Sequence, residues 1–73
     1  MTEKLIFIVD DEESVAKLLE LWVTEKWKYK SRVFSSGEEC LEALDEGPEV
    51  VLLDLMLPGI GGTETLKEIR KRE

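Results

Sequence analysis

The chain is predicted to be an α/β domain on a three-stranded parallel sheet of order 2-1-3, its strands alternating with helices as βαβαβα. Three observations predict it. Two continuous apolar runs, Leu5 to Val9 and Val50 to Leu53, have the composition of strands buried on both faces, as in a parallel sheet covered by helices. After each run the hydrophobic spacing changes to the 3.6-residue period of an amphipathic helix. The changes fall at Asp, Gly, Pro and Ser, the residues that open or close elements.

Leu5-Ile6-Phe7-Ile8-Val9 is the first strand, bounded by charge on both sides. From Glu13 to about Lys26, Val15, Leu18, Leu19, Trp22 and Val23 fall at helical spacing, which predicts a helix covering the sheet with Trp22 in the core. Trp27 stands near its end. Lys28 to Phe34 has Tyr29, Val33 and Phe34 as apolar members and Lys30 and Arg32 facing out, as an edge strand has. Ser35-Ser36-Gly37-Glu38-Glu39 offers a serine cap with acids in the first turn. The helix it opens carries Cys40, Leu41 and Leu44 inward and stops at Gly47-Pro48. Val50 to Leu53 is the third strand, ending in Asp54 and Leu55, and Pro58-Gly59-Ile60-Gly61-Gly62 is a turn-rich loop. From Thr63 onward the pattern is helical with Leu66 and Ile69 inward, and Thr63 and Thr65 are placed to cap that helix.

No repeat, linker or low-complexity segment divides the chain, so residues 1–73 form one unit with a small core. A net charge of −7 and a pI near 4.6 argue against nucleic acid as a direct partner. The basic run Lys67 to Arg72 is expected on a solvated helix end, near the negative pole of the macrodipole. Cys40 is the only cysteine and there is no histidine, which removes disulfides, zinc and Cys-His catalysis from consideration and suits a reducing cytoplasm. Leu5 to Val9 is too short for a signal-peptide core, and no segment has the length of a membrane span.

In an open parallel sheet, functional groups gather at the carboxyl ends of the strands where the strand order reverses. Asp10 and Asp11 end the first strand and Asp54 ends the third, so neighbouring strands would bring three carboxylates together. Such a cluster needs a counter-charge. Oxygen ligands without His or thiolate select Mg²⁺, Mn²⁺ or Ca²⁺ over zinc, and Mg²⁺ held by few protein ligands keeps positions for phosphate oxygens. The spacing of Gly59, Gly61 and Gly62 is not that of a nucleotide loop, and no Walker lysine follows. Met56 stands where a phosphatase of the aspartate type would carry a second acid.

Ile8-Val9-Asp10-Asp11-Glu12, Ser36-Gly37-Glu38-Glu39 and Leu52-Leu53-Asp54-Leu55-Met56-Leu57-Pro58-Gly59-Ile60-Gly61-Gly62 together resemble the signature segments of response-regulator receiver domains of two-component systems. The resemblance implies the flavodoxin-like or CheY-like fold, of which this chain would hold the first three of five strand-helix units. It implies Asp54 as phosphoacceptor from a sensor histidine kinase or a small phosphodonor. Asp11 and Asp54 would ligate Mg²⁺ or Mn²⁺ directly, Asp10 largely through water, and the Met56 backbone carbonyl would complete the set. Pro58 and Gly62 match positions that shape the loop. The protein would be substrate and switch rather than enzyme. The family's Ser or Thr after the fourth strand and Lys after the fifth have no counterpart here, Lys4 and Lys67 being misplaced for a phosphate contact. With fewer strands, Val50, Val51, Leu52 and Leu53 would form an open edge, which predicts a homodimer or higher oligomer through that strand. In the alternative reading the chain is a self-associating structural module with a vestigial acidic site.

Overall fold

A computed structural model of the chain describes residues 4–57 and 59–72, so Pro58, expected to shape the loop, lies outside the described residues. Three parallel strands, β1 (Leu5–Val9), β2 (Lys30–Phe34) and β3 (Val50–Leu53), form one sheet in the order β2-β1-β3, as expected. Leu5 pairs with Lys30 and Val9 with Phe34 on one side of β1; Ile6 pairs with Val50 and Val9 with Leu53 on the other.

β1 is central because it is apolar on both faces. Its alternation divides the interior into two layers. Phe7 and Val9 join Phe34, Cys40 and Leu57 on one face, with the Phe7 and Phe34 rings 4.8 Å apart edge to face. Ile6 and Ile8 join Ala16 and Val23 on the other. Helix α1 (Glu13–Leu21) covers the second layer; α2 (Gly37–Glu42) and α3 (Gly61–Lys71) cover the first.

Helix α1 departs from the expected apolar stripe. Ala16 and Val23 are buried and Leu19 half-buried, but Val15 and Leu18 are exposed, and Trp22, expected in the core, is 54% exposed. The helix packs over β1 and β2 along the line Ala16, Leu19, Val23, so residues a third of a turn away look past the sheet. From Trp22 to Lys26 the helix widens into a π-helical turn, in which the Thr24 hydroxyl donates to the Glu20 carbonyl at 2.9 Å. Val23, seven residues after Ala16, stays inward at ordinary helical spacing, and Trp22 beside it faces out. Trp22 then packs on Trp27, with ring centroids 5.2 Å apart. Lys28 takes a left-handed φ of 60°, so β2 begins at Lys30 rather than at Lys28.

Helix α2 opens as expected. Ser36 caps the helix by accepting the Glu39 N–H at 3.2 Å, and its hydroxyl donates to the Glu39 carboxylate at 3.0 Å. The helix tightens into a 3₁₀ turn at Leu44–Glu46 and stops at Gly47, whose φ of 75° is left-handed. Helix α3 starts at Gly61, two residues before the predicted Thr63, and buries Gly62 and Thr65. Ile69 packs on the core as predicted, but Leu66 is 42% exposed. Thr65 is not a cap: fully buried, its hydroxyl donates back to the Gly61 carbonyl at 2.7 Å. It lies against Gly37, where an added Cβ would collide with the Thr65 hydroxyl. The basic run lies on a solvated face, with Lys67 near Glu64 and Lys71 near Glu68. Among the described residues no helix is long and apolar enough to cross a membrane.

Candidate functional site

The ends of β1 and β3 place the acids. The Asp10 N–H donates to the Phe34 carbonyl at 3.0 Å and the Asp54 N–H to the Val9 carbonyl at 2.9 Å. Each residue is thus held by the neighbouring strand at the point where its own strand ends. One carboxylate oxygen from each of Asp10, Asp11 and Asp54 comes within 4.8 Å of the other two. Asp10 and Asp54 are half-buried, whereas Asp11 is exposed. This is the convergence that the strand order predicts.

Both half-buried acids also organise backbone. Asp10 accepts the Glu12 N–H at 2.9 Å, an Asx turn that leads the chain into α1 in place of a capping side chain at Glu12. Asp54 accepts the Met56 N–H at 3.0 Å and so folds the first turn of the following loop over its own side chain. The Met56 side chain is 84% exposed, leaving the backbone as this residue's contribution. Leu57 is buried and anchors the loop to the core.

Gly62 lies against that loop: a Cβ there would run into the Asp54 carbonyl oxygen and the Leu55 Cα. No larger residue lets α3 approach the backbone that carries Asp54. The Asx turn at Asp10 is one feature that the sequence reading missed. Its signal was available in an aspartate between a strand and a helix, two residues before the amide it binds.

Among the described residues, no basic side chain pairs with the three acids. Lys4 sits at the start of β1, at the far end of the sheet, 5.8 Å over the Tyr29 ring, and Lys67 is occupied near Glu64. The donors are all hard oxygens and one of them is open to solvent, which fits a small divalent cation that keeps part of its water shell. A groove of about 420 Å³ runs from Asp10 and Asp54 along Leu52 and Leu53 to Val15 and Leu19 of α1. A groove of about 520 Å³, between Leu44, Val51 and Ile69, lies on the other face of the sheet.

The fold has close counterparts among solved proteins. A response regulator from Chloroflexus aurantiacus matches with a TM-score of 0.87 and 37% identity, over 96% of this chain and 57% of its own. The N-terminal domain of a response regulator receiver protein from Methanoculleus marisnigri matches at 0.81 and 37%, over 94% and 56%. The response regulator receiver domain profile matches residues 6–73, and the chain belongs to that family. Among curated relatives, the alkaline phosphatase synthesis transcriptional regulatory protein PhoP of Bacillus subtilis is 39% identical over 71 residues, 96% of this chain and 29% of PhoP. The sensory transduction protein RegX3 of Mycobacterium tuberculosis is 41% identical over 68 residues, 92% of this chain and 30% of RegX3. The chain therefore spans under a third of these curated relatives and somewhat over half of the solved receiver chains.

Proposed function

We propose that the chain is a phosphoacceptor module of a two-component phosphorelay, taking a phosphoryl group on Asp54 with Mg²⁺ or Mn²⁺ at the acidic cluster. The observation that carries this reading is the meeting of three carboxylates within 4.8 Å at the ends of adjacent strands. Asp11 and Asp54 would hold the cation directly, Asp10 largely through water, and the Met56 carbonyl would complete the protein ligands. When bound, the cation neutralises charge on the carboxylate and on the incoming phosphoryl oxygens.

The rest falls to the chain's own residues. An Asp54 carboxylate oxygen bonds to phosphorus as the phosphorus–nitrogen bond of a phosphohistidine donor breaks; the pair of electrons stays on the leaving imidazole, which takes a proton, and an acyl phosphate remains. The Asp54–Met56 turn occupies one carboxylate oxygen, which leaves the other for the phosphoryl group. Gly62 lets the helix that follows approach this turn. The kinase, or a small phosphodonor, supplies the activated group, and this chain acts as substrate and switch in the cytoplasm.

The test is intact-mass analysis of the chain and an Asp54→Asn variant after incubation with Mg²⁺ and a small acyl-phosphate donor. A single adduct on the unmodified chain alone is expected. A folded chain that takes no adduct would favour the second reading, a self-associating module with vestigial acids, which one observation supports: among the described residues β3 has a strand neighbour on one side only.

A further inference from the structure

We infer that Thr65 is a positioning residue of the acidic site: through Gly61 and Gly62 it holds the backbone that carries Asp54, and for the cation invoked below this rests on the phosphoacceptor reading. Among the described residues Thr65 is the one polar side chain that is buried, at 0% exposure. A hydroxyl in the interior has to be bonded, and a helical threonine commonly bonds the carbonyl four residues back. Thr65 does so, donating to the Gly61 carbonyl at 2.7 Å. The place of that carbonyl gives the bond a second role.

Gly61 is where the loop turns into α3, with a left-handed φ of 77°. The hydroxyl therefore ties the second turn of α3 to the residue that opens the helix. Gly62 follows, buried, with the Asp54 carbonyl oxygen and the Leu55 Cα where its own Cβ would stand. Backbone is pressed on backbone one residue from the acceptor of the hydroxyl, and interiors packed this closely transmit a displacement rather than absorb it. The same segment leads into the turn in which the Asp54 carboxylate accepts the Met56 N–H. A shift in the first turn of α3 thus reaches the Asp54 carboxylate and the Met56 carbonyl through main chain.

From the other side the hydroxyl is closed in. A threonine in a helix has two staggered positions open to its Oγ1. Gly37, buried at the start of α2, packs against the Thr65 side chain, with the hydroxyl nearest, and leaves it no room to turn. None of these residues is one of the three acids. They form an outer support, of the kind whose loss weakens a metal site by about tenfold or more.

The test reads the site without and with a cation. Nuclear magnetic resonance follows the amide signals of Asp54, Leu55 and Met56 in the metal-free chain, and calorimetry then gives the Mg²⁺ affinity. Thr65→Val keeps the shape and removes the hydroxyl. It is expected to shift all of these amide signals and to weaken Mg²⁺ by roughly tenfold, whereas Thr65→Ser, which keeps the hydroxyl, is expected to match the unmodified chain in both. Ser36→Ala removes the α2 cap but breaks no contact in this line, so it is expected to lower stability and to move neither readout. Should Thr65→Val not fold, Thr65→Ala, too small to clash, takes its place. A folded Thr65→Val chain whose Asp54, Leu55 and Met56 signals stay in place overturns the inference, as does one that binds Mg²⁺ like the unmodified chain. So does a Ser36→Ala chain that loses as much affinity, which would make the effect one of general stability. An unmodified chain that binds no Mg²⁺ refutes the phosphoacceptor reading instead, and the metal-free amide signals then decide the role of Thr65 alone.

Discussion

At the scale of the residue, small side chains set the limits. Gly62→Ala would push a methyl group into the Asp54–Leu55 backbone, so a cost of about 2 kcal/mol or more in urea unfolding is expected, with weakened Mg²⁺ binding by calorimetry. Gly37 gives a sharper test. Ala normally gains about 0.5–1 kcal/mol over Gly in a helix, but here its methyl would meet the buried Thr65 hydroxyl, so Gly37→Ala is expected to destabilise. Adding Thr65→Ala is expected to recover part of the loss, a coupling that a double-mutant cycle measures. Cys40 is fully buried, and desolvation pushes its thiol above the ordinary value of 9.0. Because the unfolded thiol ionises first, its contribution to stability is complete below about pH 8.5 and declines as the pH rises toward the folded value. Urea midpoints should therefore fall on the alkaline side, and thiol reagents should modify the native chain slowly at neutral pH. The acids were legible at this scale because strand ends and residue types both announce them. Thr65 was not, because its role depends on how closely Gly37 lets two helices approach, a tertiary fact.

At the scale of the element, the strands were read almost completely and the helices by their ends better than by their faces. A run such as Leu5 to Val9 is buried on both sides, so no choice of face can mislead. An amphipathic helix requires that choice: of the stripe Val15, Leu18, Leu19, Trp22 and Val23, the sheet takes Leu19 and Val23 together with Ala16, because α1 lies over β1 and β2, and leaves Val15, Leu18 and Trp22 outward. Local chemistry served well where it is self-contained. Ser36 caps α2 through its own side chain, so Ser36→Ala is expected to cost about 1 kcal/mol, read as a lowered thermal midpoint. The same change should leave Mg²⁺ affinity unaltered, since α2 supplies none of the three acids.

At the scale of the whole molecule, the sheet makes the site. A cation held by Asp10, Asp11 and Asp54 would bind the native state alone, so stability should rise with Mg²⁺ concentration as RT ln(1 + [L]/Kd), and Asp54→Asn should remove most of that dependence. Thermal denaturation with and without Mg²⁺ measures both. The fold class and strand order followed from the pattern of apolar runs. The exposed side of α1 did not, because it depends on which helix line the sheet covers. The pairing of Asp54 with Val9 has a last consequence, in time. The two acidic segments are more than forty residues apart in the chain, and nothing local holds them together. During synthesis the first acidic segment waits while two helices and a strand emerge, and the three-acid cluster exists only once β3 has docked in register. Folding should therefore be limited by this distant parallel pairing, and a nascent chain has no assembled cluster until late.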